Sequence, residues 1–413
     1  MLEELGKRAA AASRILAVAG TDLKDAALNA AADALENEAG AILEANARDI
    51  DYGKQAGLSA ALLDRLRLDE GRIHGVAEGL RAVAALPDPV GRMLETAGRP
   101  NGLLLEKISV PIGVIAVIYE ARPNVTADSA ALCLKSGNAV ILRGGKEAIH
   151  SNTIIAQSMR RAIARAGLVE DCVQLVTDTS RESAAELMRM REYVDLLIPR
   201  GGAGLIRSVV ENARVPVIET GAGVCHVYVD RAADIEMAAR IIFNAKTSRP
   251  SVCNAAECML VHKDIAAAAL PVIASTLRAK QVEIRGDKQV CEIISDAVPA
   301  TDADWGREFG DYIIAARVVD DMDAAIEHIY RYGTKHSECI VTRDLGAAEY
   351  FQKKVDAAAV YHNASTRFTD GGEFGLGAEI GISTQKLHAR GPLGLNELTS
   401  YKYIVSGNGQ VRE

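Results

Sequence analysis

The chain has 413 residues, of which 49% are hydrophobic and 25% are charged, so it can bury a large core and is expected to form two or three globular domains. A formal net charge of −8 without a clustered basic tract argues against nucleic acid or acidic membranes as partners, and no apolar run approaches the ~20 residues of a membrane span. The seven cysteines form neither a disulfide framework nor the paired spacing of a zinc site, so we expect a reducing compartment, the cytoplasm, and no metal.

The N-terminal part is rich in alanine and charged residues with helical periodicity. Residues 1–85 therefore predict three or four helices, with breaks near Gly20 and Gly40. Pro87 and Pro89 end this helical block.

Two short β-prone runs around a turn-rich centre follow, and residues 93–109 predict a protruding hairpin. Its apolar residues Leu103–Leu105 lie beside the turn, where an exposed apolar ribbon aggregates unless a partner covers its edge. Near the C-terminus, residues 398–405 alternate in the manner of an edge strand.

Residues 110–220 alternate apolar strand-like runs with amphipathic helical segments such as 152–166. This alternation predicts a doubly wound α/β domain with a parallel sheet. The predicted strands are 110–118, 139–142, 173–176, 194–198 and 215–218. A second α/β unit is expected from 222 onward, with a strand at 357–363 that leads into a polar loop.

Two turns in the first α/β domain could hold a phosphate group. Residues 143–146 (RGGK) and 199–204 (PRGGAG) each follow a predicted strand and precede a predicted helix, where backbone N–H groups converge. Neither turn has the G-x-G-x-x-G pattern, and glycines at strand ends can serve the turn alone.

A thiol stands in a break between two regular elements. Residues 238–245 predict the end of a helix and residues 258–262 a short strand, and Pro250 places Cys253 on the constrained loop between them. A thiol with an ordinary pKa of roughly 8.5 becomes a good nucleophile near positive charge or N–H donors. Lys246, Arg249 and the loop amides could supply these, although most cysteines are simply small buried hydrophobes.

Long segments of the chain resemble the γ-glutamyl phosphate reductase family, a branch of the aldehyde dehydrogenase superfamily. The resemblance spans essentially the whole chain and is strongest at 110–147, 246–257, 336–340 and 363–395. It implies a discontinuous Rossmann-like cofactor-binding domain (1–92, 110–222 and 380–395), an α/β catalytic domain (223–379) and a small β oligomerisation element (93–109 and 396–413).

The resemblance also implies an activity. This is NADPH-dependent reduction of L-glutamyl 5-phosphate to L-glutamate 5-semialdehyde and phosphate, the second step of proline biosynthesis from glutamate. A homo-oligomer, dimer or tetramer, is implied as well. Lability of the acyl phosphate would favour a complex with the preceding enzyme, glutamate 5-kinase.

By resemblance, site residues can be assigned to three roles. Cys253 would form a thioester, and the side-chain amide of Asn124 with the backbone N–H of Cys253 would bind the oxyanion. Candidates for binding the substrate are Arg122, Arg249, Asn363, Ser365, Thr366 and Arg367. Candidates for binding NADPH are Arg143, Gly144, Gly145, Lys146, Gly201, Gly202 and Glu308. The arginines could instead form structural ion pairs, and Glu308 could be an ordinary surface carboxylate.

A preference for NADPH over NADH is expected from Lys146. Many NAD-preferring members of the superfamily carry at this position a glutamate that repels a 2′-phosphate, whereas Lys146 and Arg143 would attract it. The adjacent Glu147 should point elsewhere if a helix begins there. Alternatively, Lys146 is a solvated residue of the first helical turn.

Other functions remain open at this stage. Glu219 lies where hydrolytic aldehyde dehydrogenases place the base that activates water, which would make the chain an NAD(P)-dependent aldehyde oxidiser, but its flanking residues resemble the reductases. A cysteine hydrolase or acyltransferase would need His226 or His262 to activate Cys253 and leaves the nucleotide-type domain without a role. A catalytically silent binding protein is the third alternative.

Overall fold

The structure, a computed structural model, describes residues 2–412. Within this range it contains fourteen α-helices. They are α1 (Leu2–Leu16), α2 (Thr21–Asn37), α3 (Ala39–Gln55), α4 (Ala60–Leu66), α5 (Glu70–Ala85), α6 (Asn124–Lys135), α7 (Ile149–Arg165), α8 (Arg181–Leu187), α9 (Ala203–Asn212), α10 (Ile235–Thr247), α11 (Lys263–Arg278), α12 (Lys288–Ile293), α13 (Met322–Tyr332) and α14 (Leu345–Lys354).

Sixteen strands accompany these helices over the same range. They are β1 (Met93–Gly98), β2 (Leu104–Pro111), β3 (Val114–Tyr119), β4 (Ala139–Gly144), β5 (Val173–Leu175), β6 (Leu196–Arg200), β7 (Cys225–Val229), β8 (Ala256–His262), β9 (Glu283–Gly286), β10 (Val298–Pro299), β11 (Ile313–Val319), β12 (Ser337–Val341), β13 (Ala359–His362), β14 (Ile382–Ser383), β15 (Gly391–Pro392) and β16 (Thr399–Ser406).

The chain divides into two compact units. Unit 1 comprises Met1–Thr220, Gly375–Gly381 and Leu393–Glu413. Unit 2 comprises Gly221–Phe374 and Ile382–Pro392. The cofactor-binding, catalytic and oligomerisation roles expected for the sequence ranges given above stay predictions.

Unit 1 is built on a parallel sheet with the order β5-β4-β3-β6. All six residues of β3 are buried, as the continuous apolar run predicts for a strand covered on both faces. The N-terminal block forms five helices rather than three or four. The side chains of Ser59 and Asp69 cap the starts of α4 and α5, which divides the second half of the block into separate helices. Helix α5 ends at Ala85, just before the two prolines, as predicted.

Two predicted strands of unit 1 need correction. The run 110–118 is divided between β2 and β3, because Gly113 adopts a φ of 134° and a Cβ there would lie 2.1 Å from Asp195 Oδ2. Residues 215–218 form only an isolated bridge between Leu197 and Val217. Pro216 has no N–H with which to extend a ladder.

A second, antiparallel sheet of unit 1 has the order β1-β2-β16. The predicted hairpin and the predicted C-terminal edge strand are therefore confirmed as secondary structure. Several large apolar side chains of this sheet are exposed, namely Met93, Leu94, Leu104, Tyr401, Tyr403, Ile404 and Val405.

Unit 2 contains a seven-stranded parallel sheet with the order β10-β9-β11-β8-β7-β12-β13. One face packs its core against α10, α11 and α12, and the other against α13 and α14. Strands β7, β8 and β12 are buried throughout, so the residues on both of their faces lie inside the unit. Among the described residues, no helix combines the length and apolar character needed to cross a membrane.

Candidate active site

Cys253 lies in the turn between α10 and β8, as the sequence predicts. Its side chain is half-buried, and none of the seven cysteines, all of them in the described range, forms a disulfide. The backbone of Gly223 approaches this turn so closely that a Cβ there would lie 1.4 Å from the carbonyl oxygen of Cys253. Only glycine fits at this point, so the Thr220–Gly223 loop and the cysteine turn are shaped to each other.

Two arginines place positive charge near Cys253, and one of them, Arg367, is remote from it in sequence. Arg367 is half-buried, and burial is the main cause that lowers the pKa of its guanidinium. Asp370 and the Cys253 sulfur act in the opposite direction, whereas the charge of Arg249 lowers this pKa further. The structure thus brings Arg249, Arg367 and Cys253 within electrostatic range of one another.

Lys246 does not supply this charge, which corrects the expectation from sequence. Its ammonium group is fully buried and donates to Glu257 Oε2 at 2.6 Å. Burial lowers the pKa of Lys246, and burial also raises the pKa of Glu257 to about 7 despite the opposing effect of the lysine. The two residues form a closed buried pair beneath the turn.

Asn254, which sequence reasoning did not single out, joins the cysteine turn to the 363–369 loop. Its Nδ2 donates to the carbonyl oxygens of Thr369 at 2.9 Å and Arg367 at 3.3 Å, and its Oδ1 accepts from Arg367 Nη1. The hydroxyl of Thr366 donates to the carbonyl oxygen of Asn254 at 2.7 Å. The nucleophile turn and the arginine loop therefore form one hydrogen-bonded assembly.

The remaining residues expected to bind substrate hold the 363–369 loop in shape. Asn363 adopts a φ of 56°, and its amide accepts from the backbone N–H of Thr342 at 3.0 Å and donates to the carbonyl of Thr342 at 2.9 Å. Ser365 Oγ accepts from the backbone N–H of Arg367 at 3.3 Å. These contacts make Asn363, Ser365 and Thr366 parts of the loop framework, and Arg367 is the charged group this framework presents.

A buried cysteine lies beneath the turn. Cys225 Sγ donates to the carbonyl oxygen of Cys253 at 3.2 Å. Burial raises the pKa of Cys225 well above its usual value, with smaller contributions from Glu338 and Cys253, so this residue is a thiol that supports the loop. No sequence signal distinguishes it, because Cys225 follows directly on the glycine loop in an apolar strand.

Glu308 also contacts the glycine loop. Its Oε1 accepts from the backbone N–H of Gly223 at 3.3 Å. Glu257 accepts from the backbone N–H of Gly310, also at 3.3 Å, so the Lys246–Glu257 pair anchors the segment that carries Glu308. Glu308 is therefore held beside the loop that shapes the cysteine turn.

Asn124, the expected oxyanion donor, is the first residue of α6 in unit 1. Its Nδ2 donates to Oδ2 of Asp128, one helical turn later, at 2.8 Å. Burial raises the pKa of Asp128 to about 6, against the lowering effects of the Asn124 hydrogen bond and the Arg200 charge. This contact uses one of the two amide hydrogens of Asn124 and fixes the plane of the amide. The i, i+4 spacing is the signal that could have identified Asp128. Arg122 lies half-buried two residues before Asn124.

The residues expected to bind the adenosine end of a cofactor surround the start of α7. Half-buried Arg143 donates through Nη2 to the carbonyl oxygens of Thr179 and Ser180 at 2.7 and 2.8 Å, and burial lowers its pKa. Lys146 is exposed, with Nζ 5.9 Å from the centroid of the Tyr52 ring. The side chain of Glu147 turns to the preceding loop, where it accepts from the backbone N–H of Ala121 at 2.7 Å.

The backbone around these residues is close-packed. A Cβ on Gly144 would lie 2.0 Å from Asn152 Nδ2, and a Cβ on Gly145 would lie 2.1 Å from Glu147 Oε1. A Cβ at either position would force a neighbouring side chain to move, so packing favours glycine at both positions, whatever ligand the turn binds.

The second candidate phosphate turn has a carboxylate next to it. Gly202 is the N-cap of α9, and its N–H donates to Glu120 Oε2 at 2.9 Å. A Cβ on Gly201 would meet the same oxygen at 2.4 Å. A negative charge at this helix N-terminus opposes a phosphate group there. Glu219, the alternative catalytic base, lies half-buried in the loop that follows α9.

Comparison with known proteins identifies the class first. The profile described as the aldehyde dehydrogenase family matches residues 3–298. The fold is similar to that of a solved acetylating aldehyde dehydrogenase from Geobacillus thermoglucosidasius, with 17% identity, a TM-score of 0.72 and coverage of 100% of this chain and 97% of that one. The chain belongs to the aldehyde dehydrogenase family, and the expected fold class is confirmed.

Relatives with higher sequence identity place the chain in one branch of this family. A γ-glutamyl phosphate reductase of Moorella thermoacetica is 60% identical over 408 residues, which cover 99% of this chain and 98% of the relative. The crystal structure of a γ-glutamyl phosphate reductase from Thermotoga maritima matches with 48% identity and a TM-score of 0.96 and covers 100% of both chains. Within the family the chain therefore belongs with the γ-glutamyl phosphate reductases, as the sequence resemblance indicated.

Proposed function

We propose that the chain reduces L-glutamyl 5-phosphate to L-glutamate 5-semialdehyde and phosphate with NADPH, the second step of proline biosynthesis from glutamate. The observation that carries this proposal is the joined pair of loops that holds Cys253 beside the guanidinium of Arg367. The names of the full-length relatives support the same substrate.

The first chemical step uses the thiol. The Cys253 thiolate attacks the acyl carbon, the bond from this carbon to the phosphate oxygen breaks, and a glutamyl thioester remains on the enzyme. Arg367 and Arg249 stabilise the thiolate, because a nearby positive charge favours the ionised form. Cys225 stays protonated and supports the turn from below.

The tetrahedral species on either side of the thioester carries an oxyanion. The backbone N–H of Cys253 and the second amide hydrogen of Asn124 are the proposed donors, and Asp128 positions Asn124 by holding the first one. The α-carboxylate of the substrate calls for a guanidinium, with Arg122, Arg249 and Arg367 as candidates. Asn363, Ser365 and Thr366 contribute by shaping the loop of Arg367.

The residues near α7 fit a phosphorylated nicotinamide cofactor. Arg143 is bound to two carbonyl oxygens, so it buttresses the turn, whereas Lys146 is exposed and Glu147 is turned away to Ala121. Lys146 is therefore the proposed partner of the 2′-phosphate. When bound, NADPH supplies the hydride that reduces the thioester.

Other cofactor contacts are proposed by resemblance. Gly144 and Gly145 would give close backbone approach, and Glu308 would hold the nicotinamide ribose. Because Glu120 opposes phosphate at Gly201 and Gly202, we propose that this turn faces a neutral part of the cofactor.

We propose that the chain forms a dimer or tetramer through the sheet β1-β2-β16. This sheet exposes tyrosines and aliphatic residues, and burying them against a second copy would be favourable. We also propose a cytoplasmic location. Glutamate 5-kinase is proposed as a transient partner, because the acyl phosphate is short-lived.

The reverse reaction tests the function. Purified protein with glutamate 5-semialdehyde, phosphate and NADP should form NADPH only when phosphate is present. Turnover that does not require phosphate would favour the hydrolytic alternative with Glu219 as the base. In the forward direction, NADPH oxidation should depend on glutamate, ATP and glutamate 5-kinase together.

A further inference from the structure

A row of polar side chains crosses one buried face of the sheet in unit 2. Glu338 of β12 pairs with His226 of β7, and His226 pairs with Cys258 of β8. Side chains of paired residues point to the same face of a sheet, here the face that packs against α13. Helix α13 contributes His328 to this face, so two imidazoles, a thiol and a carboxylate meet inside an apolar core.

The spacing of three of these groups suits a metal ion. One ligand atom from each of His226, Cys258 and His328 lies within 4.8 Å of the other two. Cys258 Sγ is 3.7 Å from His328 Nε2. The side chains are nearly inaccessible, with relative exposures of 0%, 0% and 4%.

A second observation points to a missing ligand. His226 Nδ1 lies 3.0 Å from Glu338 Oε2, and this carboxylate also accepts from the backbone N–H of His226 at 2.8 Å. His226 Nε2 is buried and has no hydrogen-bond partner among the described residues. A carboxylate that fixes one nitrogen and leaves the other for a metal is the usual support of a ligating histidine. A buried polar atom without a partner costs stability, and an ion would remove that cost.

We propose that His226, Cys258 and His328 bind a thiophilic divalent ion, with Zn²⁺ the best match to two imidazoles and one thiolate. The ion is bound by Nε2 of each histidine and by Sγ, and the thiol releases its proton to solvent. The carboxylate of Glu338 offsets the added charge. This site is separate from Cys253 and does not depend on the proposed reaction.

Arg317 disfavours binding of the ion. Its Nη1 donates to His328 Nδ1 at 3.2 Å, which keeps the proton of this imidazole on Nε2, facing Cys258. Metal binding needs the lone pair of Nε2, so the proton must move to Nδ1 and the arginine must give up this contact. The Arg317 guanidinium also lies 5.6 Å from the centroid of the Trp305 ring, which remains available to it as a partner. Arg317 therefore lowers the affinity of the site.

The test uses Co²⁺ as a spectroscopic substitute for Zn²⁺, titrated into the full-length protein under reducing, oxygen-free conditions. We expect one equivalent to produce a thiolate-to-cobalt charge-transfer band with tetrahedral d–d bands, and Zn²⁺ to displace it. Cys258→Ser should abolish the charge-transfer band. Cys339→Ser is the matched control, because Cys339 is equally buried but lies on the opposite face of the sheet.

Two further variants keep the proposal open to refutation if Cys258→Ser folds poorly. His328→Asn keeps the thiol and should weaken Co²⁺ binding at least about tenfold, whereas Arg317→Gln should tighten it about tenfold, the effect of losing one competing charged hydrogen bond. A charge-transfer band that persists in Cys258→Ser would assign the ion to another thiol, such as Cys253. That result, or no saturable binding by wild type, would overturn the proposal.

Discussion

Asn254→Ala is the perturbation that most directly probes how the nucleophile turn and the arginine loop are held together. The side chain is 4% exposed and makes three hydrogen bonds, two from Nδ2 to carbonyl oxygens of the 363–369 loop and one from Arg367 to Oδ1. Alanine removes all three and leaves buried carbonyl groups of the loop without their donor.

The expected loss of stability follows from the kinds of hydrogen bond that the substitution removes. Two neutral hydrogen bonds contribute about 1 kcal/mol each and one to a guanidinium about 1.5–3 kcal/mol, so the free energy of unfolding should fall by about 3–5 kcal/mol. For a unit of this size each kcal/mol corresponds to about 2–4 °C, which predicts a loss of about 10 °C in Tm. Arg367 would also lose its fixed position beside Cys253, and a displacement of about 1 Å at a reacting centre can cost about 10²-fold in kcat.

Three measurements check this prediction. Thermal unfolding reports the stability, NADPH formation from semialdehyde, phosphate and NADP reports kcat, and the pH dependence of Cys253 alkylation reports the thiolate. We expect the alkylation profile of Asn254→Ala to move to higher pH, because the thiolate loses a well-placed cation. Asn244→Ala, an exposed change on α10, is the matched control and should resemble wild type. A variant with the wild-type alkylation profile and kcat would refute the role given to this assembly.

Four further changes test separate parts of the account. Cys253→Ser should abolish reduction while NADPH binding and Tm stay unchanged, and activity retained in this variant would eliminate the thioester route. Asn124→Ala should lower kcat by about 10²–10³, whereas a change confined to the KM for NADPH would remove Asn124 from the acyl site. Lys146→Glu should raise the KM for NADPH much more than the KM for NADH, and an unaltered preference would mean that discrimination arises elsewhere. Deleting residues 93–109 should give monomer or precipitate, and light scattering that shows the wild-type oligomer would exclude the hairpin as the interface.

Much of the fold could be predicted because several strands of its parallel sheets are buried on both faces. The continuous apolar run of β3 and the shorter run of β4 each predict a strand of a parallel sheet. The prediction for residues 215–218 was wrong because Pro216 interrupts the donors of an otherwise apolar run. The run 110–118 was predicted as one strand because nothing local shows that Asp195 forces a left-handed glycine at Gly113.

The candidate site, like the fold, could be predicted only in part. The position of Cys253 in a loop followed from Pro250, and the family resemblance pointed to Asn124. Arg249 could be inferred as a source of positive charge from its proximity to Cys253 in sequence, whereas Arg367 could not, because it lies more than a hundred residues away. The expectation for Lys246 was wrong because its pairing with buried Glu257 cannot be seen in the local sequence. The role of Asn254 could not be predicted because the residues that hydrogen-bond to its side chain, Arg367 and Thr369, are remote in the chain.

The proposed Zn²⁺ site could not have been predicted from local sequence either. Its three ligands come from two neighbouring strands and a helix, so no short Cys and His spacing marks them in the sequence. The parallel register that aligns His226 with Cys258 is what brings them together.

The central claim is that Cys253 carries the glutamyl group as a thioester. Its most direct test is to mix the protein with L-glutamyl 5-phosphate, generated in place by glutamate 5-kinase, without NADPH, and to map the modified peptide by mass spectrometry after an acid quench. We expect one glutamyl adduct, on the peptide that contains Cys253, with release of an equal amount of phosphate. An adduct on any other residue, or phosphate release without an adduct in a protein that is active when NADPH is added, would contradict it.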